Sequence, residues 1–207
     1  MQLKLKNKMK ILAIGCLHGD LTQARKLAEQ AEKEKVDLVV IAGDFTQSEN
    51  HTPGLFKVFK DKGLNLALIP GNHESPAFAE AIAKKYGAKF LHGYYTQFGD
   101  VALFGAGSAN FGIFGLSEKE LYDLLKRSSD SVKGARKTVL FTHAHPAGTK
   151  IDFDGRFFGS EGIRRAIDKI QPDIAISSNI HEAEGIEDLV GKTKIISVGK
   201  QGKIIEI

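Results

Sequence analysis

Five short blocks of this chain carry side chains able to do chemistry: Cys16-Leu17-His18, Gly43-Asp44, Gly71-Asn72-His73-Glu74, Thr142-His143 and Ser178-Asn179-Ile180-His181. Carboxylate, imidazole and amide oxygen together are the donors that divalent cations use. The reaction such donors suit is phosphoester cleavage, which needs cations that neutralise phosphate oxygens and lower the pKa of a water. A pair of metals about 3.5–4 Å apart does both in an in-line displacement. Asp44 is the natural bridge between two ions. Asn72 offers a neutral oxygen, Gly71 permits a tight backbone turn, and His73 can donate a proton to a leaving oxygen. His18 and His143 each close a strand in register with Asp44, and His145, two residues on, is an auxiliary ligand candidate. Each block alone has a plain structural reading, such as a turn or helix-cap Asp for Asp44. Their common position after strands is what favours ligation. Glu74 is expected to support His73 or to cap the next helix, and His51 and His92 read as ordinary surface or packing residues.

The elements that must position these blocks follow from apolar periodicity. Lys10 to Gly15, Asp37 to Ala42 and Leu64 to Ile69 read as buried strands. Helices are expected over Leu21 to Lys35, about Pro53 to Lys62, and Pro76 to Tyr86. This alternation argues for a parallel sheet covered on both faces. After Ala88 the rhythm shortens to strands at Phe90 to Gly93, Thr96 to Phe98 and Val101 to Gly105. A helix over Ser117 to Ser129 opens with Ser117 and Glu120 at capping-box spacing. Thr138 to Phe141 and Asp173 to Ile176 are strands around a helix at Ser160 to Ile170. The tail alternates strands with turns near Gly185, Gly191 and Gly202. In open α/β sheets ligands gather outside the carboxyl ends of the strands, so the blocks converge on one edge.

The 207 residues suit one domain able to bury a full core, with 26% charged and 42% hydrophobic residues. The net charge of +4 is spread over scattered lysines; without a concentrated basic stripe or a stacking platform, nucleic acid is not the favoured partner. The lone Cys16 excludes an internal disulfide and fits a reducing cytoplasm. No apolar run approaches the roughly 20 residues of a membrane span. Residues 1–8 form a basic extension without the apolar stretch of a signal peptide, either outside the fold or added as an edge strand. Residues 9–207 are expected to form a single domain.

The order Cys-x-His, Gly-Asp, Gly-Asn-His-Glu, Thr-His and Asn-x-His resembles the calcineurin-like metallophosphoesterases, over nearly the whole chain from Met9. Gly159-Ser160, Gln171-Pro172 and His181-Glu182 with Gly185 and Gly191 are similar to the small, cap-less, phosphodiesterase-like branch. The resemblance implies an α/β fold, a four-layer α/β/β/α sandwich of two mixed sheets flanked by helices, with a dinuclear metal centre. It implies a first metal at Cys16, His18, Asp44 and His181, and a second at Asp44, Asn72, His143 and Asn179. Asp44 and His73 are the catalytic residues it implies, His73 protonating the leaving group.

Two positions depart from the family pattern, which has Asp where Cys16 stands and His where Asn179 stands. A thiolate keeps the charge of the Asp it replaces but is softer, favouring Zn or Fe, whereas Mn or Mg remain suited to the second site. The amide of Asn179 binds a cation more weakly than imidazole and reaches less far, so the second metal is expected to be loosely held. The expected activity is therefore hydrolysis of a small phosphodiester or phosphomonoester by metal-activated hydroxide at an asymmetric dinuclear site. The competing reading is a weakened or inactive binding or scaffold protein on the same fold. A nuclease is the weaker third.

Overall fold

The structure is a computed structural model describing residues 8–155 and 159–207. Residues 1–7, and with them the reading of the N-terminal extension, lie outside the described residues.

Strand β1 (Lys10–Ile14) runs into helix α1 (Leu21–Lys33), β2 (Leu38–Ala42), a one-turn α2 (Lys57–Lys60), β3 (Leu66–Ile69), α3 (Pro76–Tyr86) and the short β4 (Lys89–Phe90). Then come β5 (Tyr95–Phe98), β6 (Val101–Ala106), α4 (Glu118–Asp130), β7 (Lys137–Thr142), α5 (Glu161–Ile170), β8 (Ile174–Ser177), β9 (Glu187–Val190), β10 (Thr193–Ser197) and β11 (Lys203–Glu206). They form two sheets, ordered β11-β1-β2-β3-β4 and β5-β6-β7-β8-β10-β9. Both are mixed: β11 is antiparallel to β1, while β5 and β9 are antiparallel to their neighbours.

The pleat decides which core each side chain enters, because successive residues of a strand face opposite ways. Leu12, Ile14, Val39, Ile41, Leu66 and Leu68 pack with Ala24, Leu27, Phe56 and Ile82 under α1, α2 and α3. Their strand neighbours Ile11, Ala13, Leu38, Val40 and Ile69 meet Leu103, Val139, Phe141 and Ile176 of the second sheet. The outer face of that sheet, with Phe104, Leu140 and Ile195, is covered by Leu121 and Leu125 of α4 and Ile163 and Ile167 of α5. Three stacked apolar layers make the four-layer α/β/β/α sandwich. Each fully buried Leu or Ile contributes about 1.5–3 kcal/mol of burial free energy.

The ends of the elements follow local chemistry. Ser75 accepts from Phe78 N and caps α3, with Pro76 in the first turn. Ser117 and Glu120 form both halves of a capping box on α4. Two expectations need correction. The helix anticipated from Pro53 shrinks to Lys57–Lys60, because Gly54 stands at φ +89 and breaks the turn before it can propagate. The strand anticipated over Phe90 to Gly93 ends at Phe90; His92 then bridges to Gly105 while Gly93 N donates to Gly105 O, which carries the chain into the second sheet. Among the described residues no helix is long and apolar enough to cross a membrane.

Strands β1, β2 and β3 are parallel in one sheet and β6, β7 and β8 in the other, so their carboxyl ends collect at one edge. Hydrogen bonds tie the loops beyond those ends together: Cys16 N to Gly43 O at 3.1 Å, His18 N to Asp44 O at 2.9 Å, Ser108 N to Pro70 O at 2.9 Å and Ser178 N to His143 O at 3.0 Å.

Candidate metal centre

Four of the residues that the sequence singles out have left-handed backbone: Cys16 (φ 53), His18 (φ 45), Asp44 (φ 50) and Asn179 (φ 77). A non-glycine residue there costs about 1–3 kcal/mol and persists only where its surroundings hold it, typically at functional sites. The surroundings are built from glycines. A Cβ on Gly71 would fall 1.9 Å from Asp44 Oδ1, one on Gly43 2.5 Å from His143 Nδ1, and one on Gly15 2.3 Å from Ser178 Cβ. Side chains at those positions would push the loops apart.

Asp44 stands at the centre, almost fully buried. Its Oδ1 accepts from His73 N at 3.1 Å. Its Oδ2 faces three imidazoles, 3.3 Å from His143 Nε2, 3.9 Å from His18 Nε2 and 4.0 Å from His73 Nε2. Burial works against its ionised form, but His143 and His73 more than offset this and hold the carboxyl below its usual range.

His143 is completely buried. Its Nδ1 lies 2.8 Å from Ala42 O, which can only accept, so Nδ1 carries a proton. The Ser178 hydroxyl donates to the same carbonyl at 2.5 Å and stands 3.0 Å from Nδ1. The Nε2 lone pair is then directed at two more acceptors, Asn72 Oδ1 at 3.0 Å and Asp44 Oδ2 at 3.3 Å. Three electron pairs converging on one point call for a cation. Without a metal that cation is a proton: burial opposes it, yet the Asp44 carboxylate raises the His143 pKa overall. His18 is oriented in the same manner, with Nδ1 3.3 Å from Thr46 O and Nε2 turned to Asp44.

A second group of donors adjoins the first. The ligand atoms of Cys16, His18 and His181 lie within 4.8 Å of one another, as do those of His18, Asp44 and His73. The His18 ring is 5.0 Å from that of His73 and 5.6 Å from that of His181. Burial, then the Asp44 charge, push the Cys16 thiol up to about 12 against the opposing pull of the Asn179 main chain and Ser178 hydroxyl. A thiolate at this position therefore needs a cation beside it. Thiol, imidazole, carboxylate and amide oxygen gathered in this way are a donor set that suits divalent cations.

Of the two roles expected of Glu74, the geometry fits support of the His73 turn and not the helix cap. Its Oε2 accepts from Asp44 N (3.1 Å) and Gly71 N (2.9 Å), its Oε1 from Thr46 N and Thr46 Oγ1 (both 2.7 Å). It clamps the Asp44 turn to the Gly71 turn, and the cap of α3 falls to Ser75. His145, the auxiliary candidate, turns its Nε2 to Asp152 Oδ1 at 2.9 Å; that carboxylate also accepts from Gly159 N at 2.7 Å. The pair ties together the loop after β7. Asn179 lies beside Cys16 through its main chain.

His92, read as an ordinary packing residue, is buried and its Nδ1 accepts from Gly107 N at 3.0 Å, while the missing Cβ of Gly107 leaves room for Pro70 O. It holds the start of the β6–α4 loop, whose next residue bonds to the Asn72 turn through Ser108 N and Pro70 O. Burial, then the Arg127 charge, lower its pKa from 6.5 to about 4. The unfolded chain thus binds a proton below pH 6.5 that the folded chain refuses until about pH 4. The stability held above pH 6.5 should fall by about 3 kcal/mol as pH drops through that window. Urea unfolding at pH 7 and pH 4 should show a smaller loss for His92→Gln than for the native chain; equal losses would disprove the assignment.

A family description, calcineurin-like phosphoesterase, matches residues 9–183. No curated protein sequence matches the chain. Among solved structures, TT1561 of Thermus thermophilus is similar at TM-score 0.76 and 14% identity, over 96% of this chain and 99% of that one. A dimetal phosphatase from Danio rerio matches at TM-score 0.64 and 14% identity, over 94% and 88%. GAP50, the anchor in the inner membrane complex of Plasmodium, matches at TM-score 0.62 and 15% identity, over 94% and 72%. At such identities the likeness concerns the fold, which serves a phosphatase in one case and an anchor in another.

Proposed function

The chain belongs to the calcineurin-like phosphoesterase family, and from that premise we propose that it is a metal-dependent hydrolase of small phosphodiesters or phosphomonoesters. The observation that carries this reading is the convergence of Asp44 Oδ2, His143 Nε2 and Asn72 Oδ1 on one point, with His18 and His73 facing the same oxygen. An anchor has no physical need for that convergence, nor for four left-handed residues to maintain it.

In this reading Cys16, His18, Asp44 and His181 hold the first metal, zinc or iron, and Asp44, Asn72, His143 and Asn179 the second, manganese or magnesium. The metals supply charge for the phosphate oxygens and lower the pKa of a water. Asp44 joins the two sites and holds the His73 turn through its second oxygen. The Ala42 carbonyl and Ser178 hydroxyl keep His143 in the tautomer that presents Nε2. His73, partly exposed beside Asp44, donates its proton to the departing oxygen. Glu74 keeps both turns in register. The unpaired Cys16 fits a cytoplasmic setting.

Turnover of an aryl phosphodiester and an aryl monoester with added Mn, Zn or Fe tests the proposal. Activity with at least one metal is expected. If no metal gave turnover while Cys16→Asp combined with Asn179→His did, the native chain would be a binding protein. For the softer site, Cys16→Ala should lose most of one tightly held zinc or iron per chain, read by elemental analysis after exhaustive dialysis. Undiminished metal content in that variant would remove Cys16 from the ligand set.

A further inference from the structure

The segment from Gly107 to Leu116, between β6 and α4, contains no charged residue, yet it lies against a metal-site residue. Gly112, at φ +94, approaches Asn72 so closely that a Cβ there would stand 3.2 Å from both Asn72 Cβ and Nδ2. On either side of Gly112 are Phe111, 52% exposed, and Ile113, 87% exposed. Of five large hydrophobic side chains exposed among the described residues, these two bracket the residue that touches Asn72.

Their exposure is built into the loop. Leu116 N donates to Ala109 O at 2.8 Å and Gly115 N to Gly112 O at 3.1 Å, closing the turn. The Ser108 hydroxyl bonds to Phe114 O, and Asn110 Nδ2 reaches Glu118 Oε1 at 2.9 Å at the foot of α4. Ser108 N on Pro70 O, with His92 on Gly107 N, fixes the base of the loop to the Asn72 turn. A braced loop thus holds two apolar side chains in water at the Asn72 side of the centre. The recess next to Cys16, His18 and His181 is completed by two charged residues, Glu184 and Lys200.

We infer that the Phe111–Ile113 turn is the specificity wall of the site, receiving the apolar ester group of an alkyl or aryl phosphoester whose phosphate lies at Asp44 and Asn72. This rests on the phosphoesterase reading for the position of the phosphate, and it excludes substrates whose ester groups are uniformly polar. Burying a methylene against the wall would tighten binding by roughly two- to fourfold.

The test is a calorimetric titration of the zinc- or manganese-supplemented full chain with alkylphosphonates from methyl to octyl. Kd is expected to fall about two- to fourfold per methylene over the first several carbons. In Phe111→Ser with Ile113→Ser the dependence should flatten, while Phe111→Leu should restore most of it. Both residues are exposed, and thermal unfolding will verify that the variants fold. A flat series in the native chain, no binding of any phosphonate, or a slope unchanged in the double variant would each overturn the inference. Binding to phosphatidylcholine vesicles that is lost in the double variant, beside a flat series, would assign the turn to a membrane surface and overturn it as well. Turnover with a flat series would leave the hydrolase reading standing without this wall. A steep series without turnover would do the reverse.

Discussion

Asp44→Asn is expected to lower turnover of an aryl phosphodiester by about a thousandfold at saturating metal, with the metal that the native chain keeps through dialysis released. The amide oxygen can still accept from His73 N, as Asp44 Oδ1 does at 3.1 Å, so the turn and the fold should survive. What disappears is the negative oxygen facing His143, His18 and His73. Electrostatic groups aimed at a reacting centre are worth about a hundred- to a thousandfold each, and this one would serve two cations together. Retention of more than a tenth of the native kcat, with unchanged metal content, would show that Asp44 does not join two sites.

The second large effect is expected at Glu74. In Glu74→Gln one side-chain oxygen becomes an NH2 facing donors, so either the Asp44 and Gly71 amides or the Thr46 amide and hydroxyl lose their acceptor. Buried donors left unsatisfied cost about 1–3 kcal/mol each, and partial relaxation brings the expected loss to about 3 kcal/mol in urea unfolding. The left-handed Asp44 turn is also freed, so metal affinity measured by chelator competition should weaken roughly ten- to a hundredfold, as for outer residues that orient ligands. A destabilisation below about 0.5 kcal/mol with native metal affinity would mean that Glu74 is a passive core residue.

Much of the architecture was legible in the order of residues. The continuous apolar run from Ile11 to Ile14 and the 3.6-residue period of α1 are local signals that survive folding. Ser75, Pro76 and Ser117 with Glu120 mark helix starts by chemistry that acts within one turn. Pro53 misled because Gly54, one residue on, adopts a backbone that other residues avoid. The identity of a glycine does not reveal which of its many conformations the fold selects. The strand near His92 was overextended because its partner Gly105 lies in the other sheet, a contact that no local pattern encodes.

For the site, residue types and spacing determined which side chains are able to hold a metal and that they follow strand ends. Those are properties of the chain alone, since donor character and periodicity do not depend on distant partners. The tertiary structure decided what each donor faces. It placed Asp44 Oδ2 before three imidazoles, locked the His143 tautomer on Ala42 O, turned His145 to Asp152 and made Glu74 a clamp. It also set Cys16, His18, Asp44 and Asn179 in left-handed backbone. The physical reason is that orientation, burial and backbone strain arise from contacts between loops far apart in sequence, such as His143 with Ala42, 101 residues away, and these exist only once both sheets have packed.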